Sequence, residues 1–180
     1  MQGHERALWH LREIMHSRSQ QDPSFDEYLE IMKKAALVDM PDKRVLAVTR
    51  AQLCQAFQEG TGTAIDYKSA AYWCAKAAES GSAVAEWELI KIHKLGLGVA
   101  QDHKKAEEMW QSFFTRQVAM TPEGNILQWF HNAARVGFCS AAETLRDSYE
   151  AGKYGAERSS EKSKSWGKFA ERCKARETGR

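Results

Sequence analysis

Apolar residues along this chain keep helical time, and the runs they form stop at glycines. Leu8, Trp9, Leu11 and Met15 make one stripe near the start. Amphipathic runs over 43–58, 83–95 and 139–151 end just before Gly60, Gly96 and Gly152, where a left-handed residue can close a helix. Asp66 and Asp102 precede alanine-rich stretches and sit where an N-cap belongs. Together these signals predict about nine helices, near 4–18, 24–38, 43–58, 67–80, 83–95, 103–118, 122–136, 139–151 and 160–176. Breaks fall at Asp22-Pro23-Ser24 and Met40-Pro41-Asp42. Thr121 reads as a helix cap with Pro122 at the first helical position.

The pattern also repeats. Residues 58–74, QEGTGTAIDYKSAAYWC, return 36 positions later as KLGLGVAQDHKKAEEMW. In that register Gly60 meets Gly96, Gly62 meets Gly98, Asp66 meets Asp102, and Ala70 meets Ala106. A third copy, 129–152, echoes 73–96 at an offset of 56, with Trp73 on Trp129, Gly81 on Gly137, Ala85 on Ala141 and Leu89 on Leu145. The 20 additional residues are read as an insertion near 111–130 that adds one helix. The unit is helix, glycine loop, helix, glycine turn, and a period in the thirties built this way signals an α-solenoid. Gly81 and Gly137 are expected to turn the chain sharply into the next unit.

These slots resemble the Sel1-like repeat, a relative of the tetratricopeptide repeats. One copy holds Thr49, Leu53, Phe57, Gly60, Gly62, Asp66, Ala70, Trp73, Ala77, Ala78 and Gly81; the next holds Ala85, Leu89, His93, Gly96, Gly98, Asp102, Ala106 and Met109. The resemblance covers 43–110 and, less regularly, 121–170. Thr49 replaces an alanine, Phe113-Phe114 replace a double alanine, and Lys153-Tyr154-Gly155 replaces the clean Gly-x-Gly. It implies a single all-α domain, 1–180: an α-solenoid of antiparallel helix pairs over 43–176, with an N-terminal capping pair in 1–40 and one inserted helix.

Composition changes this picture little. The chain has 180 residues, 43% hydrophobic and 28% charged, and only three prolines. That suits a helical protein with a sizeable core. A net charge of +2 gives no bulk attraction to nucleic acid or to a membrane. No apolar run reaches the roughly 20 residues of a spanning helix. The first 19 residues mix charge into every turn, unlike a signal peptide. As written the chain reads as cytoplasmic, and as periplasmic if a leader has been removed. Cys54, Cys74, Cys139 and Cys173 fit no zinc template and read as free, small core residues; disulfides are the alternative for an exported protein. Residues 153–180 carry nine basic and four acidic side chains, read as a solvated cap helix with a frayed tail.

No residues converge as a catalytic site, and no metal or cofactor is expected. His4, His10 and His16 are six apart, which turns them about 240° from one another on a helix. His93 takes the slot of Phe57 and Tyr149 and reads as a core imidazole with a satisfied hydrogen bond. The Gly-x-Gly pairs lack the strand and the Gly-Lys-Ser/Thr of a phosphate loop. Ser159 of the Ser-x-x-Lys stretch reads as a cap. Trp73 and Trp129 read as core; Met109 fills the equivalent slot, which leaves Trp110 to pack on the inserted helix.

What the resemblance implies about function is adaptor work. The expected role is a non-catalytic protein-binding scaffold that uses a concave face, in its sharper form an immunity or inhibitor protein neutralising a secreted bacterial toxin or effector. Self-association or general adaptor work is the alternative, and an enzyme acting on β-lactams ranks last. The state expected is a monomer or weak dimer. The candidate contacts are Trp87, Lys91, Glu88, Gln55, Arg50 and Arg146, from non-core positions of the first helices of the pairs.

Overall fold

The computed structural model describes residues 24–37, 42–119 and 123–178. Among them every regular element is a helix: α1 Ser24–Leu37, α2 Lys43–Glu59, α3 Tyr67–Glu79, α4 Ala83–Leu95, α5 His103–Val118, α6 Glu123–Val136, α7 Cys139–Ala151 and α8 Ser160–Glu177. Eight of the nine expected helices are therefore present, with ends that move by a residue or so. The expected helix near 4–18, its three histidines, and the Thr121–Pro122 start of α6 lie outside the described residues.

One loop closure is used three times. The backbone N–H of Asp66 donates to the Phe57 carbonyl at 2.9 Å, that of Asp102 to His93 at 3.2 Å, and that of Ser159 to Tyr149 at 2.8 Å. The same three residues cap the helices that follow. Asp66 accepts from the N–H groups of Lys68 and Ser69, Asp102 from Lys105, and Ser159 from Lys162. Each cap satisfies donors that a helix start leaves without partners. The hydroxyl of Ser69, then its N–H, hold the Asp66 carboxyl below its ordinary range. The third loop is one residue longer, and Tyr154 absorbs the difference at a φ of 54°. At the other end of the loops, Gly60 and Gly152 take left-handed conformations and return their N–H groups to Ala56 and Ser148.

The chain divides into two compact units inside α4: residues up to Leu89 with Leu97–Val99, and Ile90–Gly96 with Ala100 onward. In the first unit α1 packs on α2 and α2 on α3. Met32 and Ala36 from α1, Leu53 and Phe57 from α2, and Ala70 and Ala77 from α3 are all buried. The alanines bring helix backbones close, where packing density is gained at little entropic cost. Thr49, buried in an alanine slot, returns its hydroxyl to the Val45 carbonyl at 3.0 Å. Arg50 reaches the Ala36 carbonyl at 3.0 Å and the Ser80 hydroxyl at 2.6 Å, so it joins α1, α2 and the end of α3. The reading of free cysteines is corrected here. Cys54 and Cys74 form a disulfide between α2 and α3, with Cα atoms 5.0 Å apart.

The second unit is built on rings. Trp110 of α5 lies 5.6 Å from Phe138 and 6.5 Å from Phe130 of α6, centroid to centroid. The Phe114 and Phe130 rings lie 4.3 Å apart at a tilt of 46°, and Phe113 meets Trp129 edge-on at 5.5 Å. The Phe113-Phe114 pair thus fills space where the other copies use alanines, and it does so by packing on α6. Two expectations need correcting. Met109 and Trp129, read as core, are only half-buried, while Trp110 packs on Phe130 as expected and at 2% exposed takes the core position itself. A second disulfide, Cys139–Cys173, joins α7 to α8 with Cα atoms 5.6 Å apart.

Lys94, at the end of α4, is the least expected member of this core. Its side chain is 4% exposed, and its ammonium pairs with the Glu177 carboxylate at the end of α8. It also lies 5.0 Å from the centroid of the Phe138 ring. A buried charge is tolerated only while its partner stays in place. Glu177→Gln is therefore expected to cost about 2 kcal/mol, less than the roughly 3–5 kcal/mol of a fully buried pair because Glu177 is partly exposed. Adding Lys94→Met should restore most of that loss. Urea unfolding of the two variants checks this; a Glu177→Gln midpoint equal to the parent's would refute the pairing.

Candidate interaction surface

Three of the six candidate contacts share α4. Trp87 and Lys91 are four residues apart and so lie on one face of that helix, with Glu88 one step round; all three are half-buried. Arg50 and Gln55 are on α2, but five helical steps turn them about 140° apart. Gln55 is exposed and donates to Glu59 at 3.0 Å. Arg50, by contrast, has its guanidinium committed to helix-ending acceptors. Arg146 stands on α7, 41% exposed, with Nε donating to Asp147 at 2.7 Å. Its stem runs over Gly167 of α8, where an added Cβ would sit 3.5 Å from Arg146 Cδ.

Among the described residues the remaining reactive groups do not converge on a catalytic arrangement. His93 is half-buried, so its ring also meets solvent. Burial lowers its pKa, Lys105 adds to that, and Asp102 opposes. His131 shares a 3.0 Å hydrogen bond with the Tyr149 hydroxyl and meets Trp166 edge-on at 5.2 Å. Burial lowers its pKa as well, with Lys162 and Arg135 pushing the same way. Cys139, Cys173 and Glu177 place their ligand atoms within 4.8 Å of one another. Both sulfurs are consumed in the disulfide, so neither can serve as a thiolate ligand or nucleophile. Glycines 60, 62, 96 and 98 are all left-handed turn residues, with no strand before them.

No protein-family model and no curated protein matches the sequence. Solved structures do. A Sel1 repeat protein from Oxalobacter formigenes is 18% identical over 92% of this chain and 69% of its own length, with a TM-score of 0.49. A protective antigen of uropathogenic Escherichia coli, described as displaying an SLR fold, is 20% identical over 82% of this chain, with a TM-score of 0.47. This chain is similar to Sel1 repeat proteins. It spans about a third, 34%, of the length of the Escherichia coli antigen.

Proposed function

We propose that this chain is a non-catalytic protein-binding scaffold of the Sel1-like repeat kind. The supporting observation is the loop closure made three times by different sequences, at Asp66, Asp102 and Ser159. Repetition of that sort spends its residues on helix pairs of fixed geometry, which offer surface to a partner instead of converging reactive groups. The face of α4 that carries Trp87 and Lys91 is the contact we assign, with Glu88 one step round; Gln55 on α2 and Arg146 on α7 are kept as candidate contacts of their own helices. Arg50 joins them as a frame that holds α2, through the bonds it makes to neighbouring elements.

The finer reading is an immunity or inhibitor protein that neutralises a bacterial toxin. Two disulfides support an oxidising setting such as the periplasm, where exported proteins meet their partners. The test is affinity capture from the source organism with parent, Trp87→Ala and Lys91→Glu baits, read by mass spectrometry. A partner captured by the parent should be lost from both variants, with affinity about 10-fold weaker or worse for the tryptophan change. A toxin among the proteins lost supports the immunity reading. Capture that ignores both substitutions overturns the assigned face.

A further inference from the structure

The second unit contains a cavity of about 500 Å3 between the ends of α4 and α6, the start of α5 and one face of α8. That volume is in the range of small-molecule sites. Its charge is one-sided. Lys94 and Glu177 both line it but neutralise each other. Arg135, Arg172 and Arg176 remain, and none of their guanidinium groups has a hydrogen bond or ion pair among the described residues. Arg172 and Arg176 are one turn apart on α8, and Phe169 is one turn before them, so a single stripe of that helix supplies both charge and an apolar ring. Val136 and Leu95 give further apolar wall. His103 also lines the cavity, and its Nδ1 is buried with no hydrogen-bond partner.

Arg135, Arg172 and Arg176 are exposed, but three cations around one shared volume raise its positive potential, which an entering anion would lower. A bare inorganic ion would satisfy the guanidinium groups and leave Phe169, Val136 and Leu95 facing water. We propose that this cavity binds a small organic anion, a carboxylate carried on an apolar stem, with Arg135, Arg172 and Arg176 at the head and the Phe169 side at the stem. Guanidinium groups suit that head because their paired N–H donors match the two oxygens of a carboxylate. The inference is independent of the protein-binding reading, since it concerns a site for a small molecule in the second unit.

The experiment is titration of the full chain with hexanoate, followed by amide chemical shifts, with hexanol and inorganic phosphate as comparison probes. Saturable binding of hexanoate, at least several-fold tighter than either comparison probe, is expected. Arg172→Gln should weaken it about 10-fold, the value of a charge-assisted hydrogen bond, while Lys168→Gln, on the same helix but off the cavity, should leave it unchanged. Both positions are exposed, so the fold is expected to survive, and circular dichroism checks that. Hexanoate that never saturates overturns the proposal. So does hexanol or phosphate binding as tightly as hexanoate, or an Arg172→Gln affinity equal to the parent's.

Discussion

Gly98→Ala should lose more than about 3 kcal/mol of stability, far beyond what one added methyl group usually does. A Cβ built on Gly98 would lie 2.3 Å from the carbonyl carbon of Tyr67 and 2.4 Å from the Lys68 nitrogen. These are backbone atoms of the first turn of α3, and they cannot rotate away as a side chain can. Gly98 also sits at φ 67°, where an alanine pays about 1–2 kcal/mol before any clash. Gly81 isolates the second effect, because it is left-handed too, at φ 94°, yet a Cβ there meets nothing within 4 Å. Gly81→Ala should therefore cost about 1 kcal/mol, the backbone cost alone. Urea midpoints of the two variants settle the matter. Equal losses would show that the close approach of Gly98 to α3 is not held in solution.

That glycine was legible in the sequence as a turn residue, and so were the helix ends. Both are written locally: an aspartate before an alanine-rich run, a glycine after an amphipathic one. Trp73 is core as read, but in the two later copies the buried aromatic was read one residue early. Cys74, Trp110 and Phe130 occupy equivalent slots and are at most 2% exposed, whereas Trp73 is 6% exposed and Met109 and Trp129 are half-buried. The aromatic recurrence at 73 and 129 is local, but the side of the helix that is covered is set by its neighbours. Arg50 misled for the same reason. Its acceptors, the carbonyls of Ala36 and Lys76 and the Ser80 hydroxyl, belong to other elements. Lys94 finds its partner 83 residues away, and no local pattern announces that.

The disulfides had a usable signal. Two antiparallel helices joined by a short loop place residues equidistant from the loop side by side. Ala64 is midway between Cys54 and Cys74, and it lies in the loop between α2 and α3. Ala156 is midway between Cys139 and Cys173, in the loop between α7 and α8. Spacing judged against zinc templates hid this, since hairpin symmetry depends on where the turn falls. A bridged sulfur supplies no nucleophile for β-lactam chemistry.

Removing the bridges should have the other large effect. Closing loops of 20 and 34 residues restricts the unfolded chain by about 3 and about 4 kcal/mol in the chain-entropy account. Cys54→Ala with Cys74→Ala, and Cys139→Ala with Cys173→Ala, should lower stability by roughly those amounts. The bridges lie in different units, so the losses should add to about 7 kcal/mol, a large share of the 5–15 kcal/mol that holds most domains folded. Alanine is the right replacement because Cys54 and Cys74 are at most 1% exposed, and a serine hydroxyl there would need a partner. The same burial shields that bridge from reductant while the chain is folded. Dithiothreitol should therefore act slowly in buffer and quickly in urea, and should then reproduce the four-alanine midpoint. Four reactive thiols in unfolded, unreduced protein would refute both bridges. Without the bridges, the reduced chain is expected to be marginally stable, so the same gene product should accumulate folded where disulfides form and be degraded where they do not.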